Sequence, residues 1–304
     1  MYDVVIVGGG PAGLSAALFL GRALRKVVVI DAGEPRNAAA REFHGFLGRD
    51  STDPRALLLD GREELAKYGV TIVDDVVLAA ECLATSERQT FETGFRVATK
   101  GGISVSSRKL LFATGMRDEL PELSGTEDCY GVTVHHCPYC DGWEHRGEHL
   151  LAYGKRAKEA VGLGLALRGW SERVTVLTNG HAAGEEDRRR LAQNGIACRE
   201  ERLVRLVYCG DRLQGVEFEN REILPAAALF FSTDQRPHSE LPRALGCEFD
   251  DPTARTSRKQ RTNVPGLFLA GDADGDVQFV IVAAAEGATA AVAINRELQD
   301  EDRV

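Results

Sequence analysis

No run of about eighteen apolar residues occurs in the 304-residue chain, so nothing in it reads as a membrane-spanning helix. Positive charge is not in excess either. Lys and Arg number 37 against 46 Asp and Glu, for a net charge of -9. A nucleic-acid binder ordinarily shows a basic face, so that partner class is not expected, and Arg188-Arg189-Arg190 reads as a solvated helix face. The opening stretch MYDVVIVGGG lacks the basic leader and cleavage site of a secretory signal, which makes a cytoplasmic protein the expectation. Paired cysteine is scarce. Of seven cysteines, Cys82, Cys129, Cys198, Cys209 and Cys247 stand alone, and in a reducing compartment they read as buried thiols. Only Cys137 and Cys140 have a motif spacing. With no second C-x-x-C and irregularly spaced histidines, no metal site is expected.

What is present is a core-forming composition, 43% hydrophobic, with a strong opening pattern. YDVVIV is a β-branched run typical of a buried parallel strand, GGGPAG follows, LSAALFLGRAL reads as a helix, and KVVVID reads as a second strand. Gly8, Gly10 and Gly13 fill the G-x-G-x-x-G positions of a βαβ dinucleotide fingerprint. Gly8 serves the tight turn, Gly10 lets a pyrophosphate approach the backbone, and Gly13 lets helix and strand pack closely. Pro11 and Ala12 open the helix, whose free N–H groups and positive dipole end suit phosphate. Asp31 ends the second strand, the position of an acid that grips a ribose hydroxyl. Residues 70–112 read as β-rich. HLLAYGKRAKEAVGLGLALRGWSERVTVLT repeats the strand–turn–helix–strand order, and NVPGLFLAGDADGDVQFVIVAAAEGATAAVAINREL closes the chain as strand, Asp-rich turn and Ala-rich helix. The fold class expected is α/β, with two Rossmann-like three-layer domains, the second inserted into the first.

The stretch VHHCPYCDGWEHR holds the remaining chemistry. A C-x-x-C brings two sulfurs within disulfide reach when the second Cys lies in the first turn of a helix, and that helix end favours a thiolate. Thiol–disulfide exchange needs one attacking and one resolving sulfur. Zinc binding and a purely structural disulfide are the competing readings. His136 is a candidate base near Cys137, with a structural role as the alternative, while His135 and His145 read as solvated.

The glycine fingerprint, FATG at 112–115, CPYCDG at 137–142 and VPGLFLAGD at 264–272, in that order, resemble the low-molecular-weight thioredoxin reductase family of flavoproteins, over nearly the whole chain. The resemblance implies FAD bound by residues 1–116 together with 242–304, and an NAD(P)H-binding-like domain at 117–241 carrying the cysteine pair. It implies contacts to FAD from the fingerprint residues, Ala113, Thr114, Gly115, Gly271 and Asp272, with Asp272 on the ribityl chain. It further implies a homodimer, and a thioredoxin-like protein or a small dithiol or disulfide as partner. Cys140 would face the flavin, Cys137 would attack the substrate disulfide, and Asp141 would shuttle a proton.

Three departures stand out. The inserted domain has Ala152-Tyr153-Gly154-Lys155-Arg156-Ala157 against the family's G-G-G-x-S-A, read as alanine and tyrosine in place of its first two glycines. The family's His-Arg-Arg cluster for the NADPH 2′-phosphate is missing from VTVLTNGHAAGEED, where Glu185, Glu186 and Asp187 would repel a phosphate. The family's Arg-Gln pair before a helix glycine aligns with Val280 and Ile281; Gln278 lies nearby, out of register, and is kept as a cofactor-side candidate. These departures resemble thioredoxin reductase-like enzymes that do not use pyridine nucleotides, and dithiol oxidases that pass electrons to oxygen. The oxidases often carry His after the pair, so Asp141 points to the reductase side. An ordinary NADPH reductase and a non-catalytic redox sensor are the further alternatives.

Overall fold

A computed structural model describes residues 1–83, 94–275 and 277–303. The chain divides into two compact units: Met1–Ala38, Gly45–Arg117 and Arg236–Val304 in one, Ala39–His44 and Asp118–Gln235 in the other.

The first unit begins with strand β1 (Tyr2–Val7), helix α1 (Pro11–Arg22) and strand β2 (Val27–Asp31). Helix α2 (Pro54–Ala66) and strands β3 (Thr71–Asp74), β4 (Val77–Leu83), β5 (Gly94–Thr99) and β6 (Ser104–Phe112) follow. The sheet runs β3-β2-β1-β6-β5-β4, and the short strand Leu267–Leu269 adds alongside the second half of β6. Strands β1, β2, β3, β6 and Leu267–Leu269 are parallel, and β4 and β5 join antiparallel. Side chains alternate across the sheet. Val4 and Ile6 enter a core beneath α1 and the helix Val280–Asp302, while Val5 and Val7 enter a second core with Phe95, Phe112 and Leu269. Each fully buried side chain of this kind contributes about 1.5–3 kcal/mol.

Small residues set how closely α1 meets the long C-terminal helix. A Cβ on Gly287 would lie 2.0 Å from the Ala12 carbonyl oxygen, and Ala290, Ala291 and Ala293 are buried on the same helix. Ion pairs tie its far end to β6. Lys109, 4% exposed, reaches Glu297 at 3.0 Å and Glu301 at 2.6 Å. Arg108 reaches Glu301 at 2.8 Å and Asp302 at 2.7 Å. Removing one partner strands buried charge. Glu301→Ala is therefore expected to cost about 3 kcal/mol, read as a lower urea midpoint at unchanged slope. The Asp302 carboxyl is held below the usual range, chiefly by its hydrogen bond from Arg25 and then by Arg108. Its contribution is in place above the ordinary carboxylate pKa and fades as pH falls below it.

The second unit holds a five-stranded parallel sheet, in the order Ala197–Arg199, Val174–Leu177, Leu150–Gly154, Ala228–Ser232, Val134–His135. The helix Ala157–Leu167 covers one face over Ala152, Val176 and Phe230. The three-stranded antiparallel sheet Leu203–Cys209, Arg212–Phe218, Ile223–Pro225 covers Leu151, Tyr153 and Phe231 on the other. Both units are thus α/β layers around parallel sheets. Among the described residues no helix is long and apolar enough to cross a membrane.

Candidate active site

In the first unit, the carboxyl ends of β1, β6 and Leu267–Leu269 lie side by side, with β2 and β3 on one side of β1 and the later strand β6 on the other. That switch point is where open α/β sheets form ligand crevices. The glycine loop follows β1. A Cβ on Gly13 would fall 1.9 Å from the Gly8 carbonyl oxygen, so Gly13 is required by the turn itself. Gly10 differs: it caps α1 in an extended conformation, offers no side-chain cap, and a Cβ there would meet nothing within 4 Å. Open space above uncapped first-turn amides, beginning at Ala12 because Pro11 at the first helical position has no N–H, is the arrangement a pyrophosphate needs.

Asp31 Oδ1 accepts from the Gly9 N–H at 2.9 Å, and its Oδ2 lies 3.2 Å from Arg62, which fixes the carboxylate beside the loop. Ala113 donates its N–H to the Val7 carbonyl at 2.8 Å, so Ala113, Thr114 and Gly115 run next to the glycine loop. Gly271 follows Leu267–Leu269 and donates to the buried Glu286 carboxylate at 2.6 Å. Asp272 then pairs with Arg36 at 2.8 Å, and the same guanidinium donates to Gln278 Oε1 at 2.7 Å. Gln278 also donates to the Asp272 carbonyl at 3.3 Å. Arg36 and Glu286 went unread in the sequence. Arg36 lies in an irregular stretch and meets Asp272 across 236 positions, a pairing without a local pattern.

In the second unit, Cys137 and Cys140 form a disulfide with Cα atoms 5.3 Å apart. Cys137 caps the short helix Pro138–Asp141, and its sulfur accepts the Cys140 N–H at 3.2 Å. Once the bond is reduced, that N–H favours a thiolate on Cys137. The free thiols behave differently: burial pushes Cys129, Cys198 and Cys247 upward in pKa and keeps them protonated. Among the described residues no group of three or more His, Cys, Asp or Glu is arranged to hold a metal.

Adjacent histidines at the end of Val134–His135 point to opposite sides. His136 Nδ1 lies 3.4 Å from the Tyr130 hydroxyl and 3.9 Å from Asp118, near Phe231. His135 lies against Phe230, 3.3 Å from Asp141 and 3.1 Å from His145, which in turn lies 3.0 Å from Glu148. The expectation that His135 and His145 are solvated is therefore corrected: both are buried. Strand pairing with Phe230 and the turn back at Trp143–Gly147 bury them, and neither feature is local in sequence.

The register of the second fingerprint is corrected as well. Ala152 and Tyr153 are interior residues of the strand Leu150–Gly154, so the turn starts at Gly154. Arg156 occupies the N-cap that Gly10 holds in the first unit, and Glu159 stands where Gly13 does. The Glu159 carboxylate accepts from the Arg156 backbone N–H at 3.0 Å and from its Nε at 2.8 Å. Past the strand Val174–Leu177, Glu185, Glu186 and Asp187 open a helix, and Arg188 pairs with Glu200 at 2.7 Å.

The family of pyridine nucleotide-disulphide oxidoreductases matches residues 2–287. A probable thioredoxin reductase of Arthroderma benhamiae is 29% identical over 99% of this chain and 81% of its own length. The thioredoxin reductase of Listeria monocytogenes is 26% identical over 95% of this chain and 92% of its own. Among solved structures, HlmI is 37% identical with a TM-score of 0.93, covering 99% of this chain and 93% of that one. The putative thioredoxin reductase TrxB from Bacillus anthracis is 28% identical with a TM-score of 0.92, covering 99% and 100%.

Proposed function

Because the chain belongs to the pyridine nucleotide-disulphide oxidoreductase family, we propose that it binds FAD and exchanges electrons between that flavin and the Cys137–Cys140 disulfide, on to a thioredoxin-like protein or a small dithiol or disulfide. The chain is a disulfide oxidoreductase of the thioredoxin reductase type. The observation that carries the finer reading is a disulfide whose Cys137 sulfur already accepts a backbone N–H, with Asp141 next in sequence to its partner. On this reading residues 1–116 with 242–304 hold FAD, and 117–241 form the nucleotide-like unit with the cysteine pair. Gly8, Gly10, Pro11, Ala12, Gly13 and Asp31 hold the dinucleotide, beside Ala113, Thr114 and Gly115. Gly271, Asp272 and Gln278 line its other side, with Arg36 orienting Asp272. FAD supplies two-electron chemistry to the disulfide when bound. Cys137 attacks the substrate disulfide as a thiolate, Cys140 resolves the mixed disulfide, and Asp141 moves the proton. His136, between Tyr130 and Asp118, assists as a base toward Cys137.

We further propose that NADPH and NADH are poor donors. Glu159 places a carboxylate on the N-cap Arg156 N–H, beside the helix start that a pyrophosphate would approach, and its charge opposes the phosphate. Each lost charge-assisted contact costs about 1.5–3 kcal/mol, so two lost contacts weaken binding roughly a hundredfold or more. In an anaerobic titration of the purified yellow protein, micromolar NADPH or NADH should leave the flavin band standing, while dithiothreitol should bleach it. Prompt bleaching by NADPH would make the protein an ordinary NADPH reductase. Rapid oxygen uptake with small dithiols would make it a dithiol oxidase.

A further inference from the structure

We propose that Asp141, His135, His145 and Glu148 form a proton relay joining the Cys137–Cys140 pair to solvent. The proposal rests on the exchange chemistry above and adds the path by which its proton leaves.

The four groups stand in series. Asp141 Oδ1 is 3.3 Å from His135 Nδ1, His135 Nε2 is 3.1 Å from His145 Nε2, and His145 Nδ1 is 3.0 Å from Glu148 Oε2. The two imidazoles are the buried middle of the series: the Asp141 side chain is 21% exposed, those of His135 and His145 are 4% and 10%, and that of Glu148 is 49%, the most open of the four. Phe230 lies against both imidazoles, 5.3 Å and 6.2 Å between ring centroids. The charged groups facing the imidazoles are Asp141, from the helix Pro138–Asp141, and Glu148, from the following turn.

Proton counting gives the function. The series has three links, and each holds one proton. With the protons shifted one way, Asp141 is a neutral acid, both imidazoles are neutral and Glu148 is a carboxylate. Shifted the other way, Asp141 is the carboxylate and Glu148 the acid. A concerted displacement thus carries one proton from Asp141 to Glu148, with net charge unchanged and no side chain displaced. A pair buried only for packing would be better made from two apolar rings, since every polar ring atom buried here needs its own partner.

The relay acts where Cys140 resolves a mixed disulfide. In the reduced pair Cys137 is a thiolate and Cys140 a thiol. The Cys137 sulfur attacks a substrate disulfide, forms one S–S bond and expels one substrate thiolate. Cys140 then gives its proton to Asp141, attacks the Cys137 sulfur and expels the second substrate thiolate. The substrate gains two electrons, the pair loses two, and one proton passes through His135 and His145 to Glu148 and solvent. His135, His145 and Glu148 act through Asp141 and are positioning residues for its proton.

The test needs no flavin turnover. In a Cys82→Ser/Cys209→Ser background, which removes the exposed free thiols, the prereduced protein is mixed with 5,5′-dithiobis(2-nitrobenzoate) and its two releases of coloured thiolate are timed. His145→Phe should leave the first release unchanged and slow the second by roughly a hundredfold at neutral pH, the lower end of the scale of one lost proton-transfer group. Added imidazole should restore it, and the gap should close as pH rises and Cys140 ionises unaided. Glu148→Gln, at a half-exposed position where misfolding is not expected, should slow the same release to a smaller degree. In Asp141→Asn, adding His145→Phe should cost nothing more, since a series is cut only once. A second release within twofold of the parent in both variants overturns the relay, as does a uniform loss at every pH that imidazole does not rescue. Absence of the second release in the parent overturns the exchange itself and the relay with it.

Discussion

Gly10→Val should give a folded protein that purifies without flavin, and Gly13→Val should give little folded protein at all. The two glycines lie three residues apart in one motif, yet they meet different neighbours. The Gly10 backbone is extended, and a side chain there meets no protein atom within 4 Å. An isopropyl group at that point fills space above the first amides of α1 and leaves the fold alone. Its effect falls on the ligand: displacing one or two amide–phosphate contacts costs about 1.5–3 kcal/mol each, or roughly a hundredfold in FAD affinity. At Gly13 the added carbon would overlap the Gly8 carbonyl at 1.9 Å, and the backbone would have to move. Such a clash belongs with the rare substitutions costing more than about 4 kcal/mol. Thermal unfolding and the ratio of flavin to protein absorbance separate the cases. If Gly10→Val keeps its colour at the parent ratio, FAD binds somewhere other than this loop.

Cys137→Ser and Cys140→Ser should each cut disulfide turnover by about a thousandfold or more, the scale of deleting a nucleophile, yet leave distinguishable proteins. On the proposed reading, the asymmetry starts from the Cys140 N–H aimed at the Cys137 sulfur, which favours Cys137 as the sulfur that attacks the substrate. Without Cys140 the attack still occurs but nothing resolves it, so Cys140→Ser should accumulate mixed disulfides with its substrate, visible by mass spectrometry. Without Cys137, a lone Cys140 thiolate in the flavin-facing role that the proposed reading gives it should produce a long-wavelength charge-transfer band. Parent-level turnover in both variants removes the disulfide from the mechanism, and an identical spectrum and trapping pattern in the two removes the division of labour.

The strand–turn–helix at Gly8 to Gly13 is legible because its spacing is local: Gly13 answers to the Gly8 carbonyl five residues before it, although Gly8 itself packs on Ala113. The α/β class followed from buried parallel strands that read as unbroken apolar runs. The misreadings had non-local causes. Nothing within LLAYG marks where its strand ends, so the turn was placed two residues early, and Glu159, the residue that matters most there, drew no notice. His135 and His145, taken singly, have the composition of surface residues; Phe230, from a strand some ninety positions later, makes them interior. Arg36 carries no motif, and its importance exists only once Asp272 is folded beside it.

A helix can lend its first amides to a ligand or to its own chain, but not to both. In the helix Ala157–Leu167 the amide at the N-cap is taken by the chain: Glu159 closes back on Arg156, an arrangement worth about 1 kcal/mol to a helix end. Going back to a phosphate-accepting turn would require at least Arg156→Gly and Glu159→Gly together. Either change alone loses the cap and puts glycine at a helix start before any nucleotide fits. On the proposed reading, the choice of donor is held in part by the folding energy of this helix end, and variants selected only for stability should keep Glu159 on Arg156.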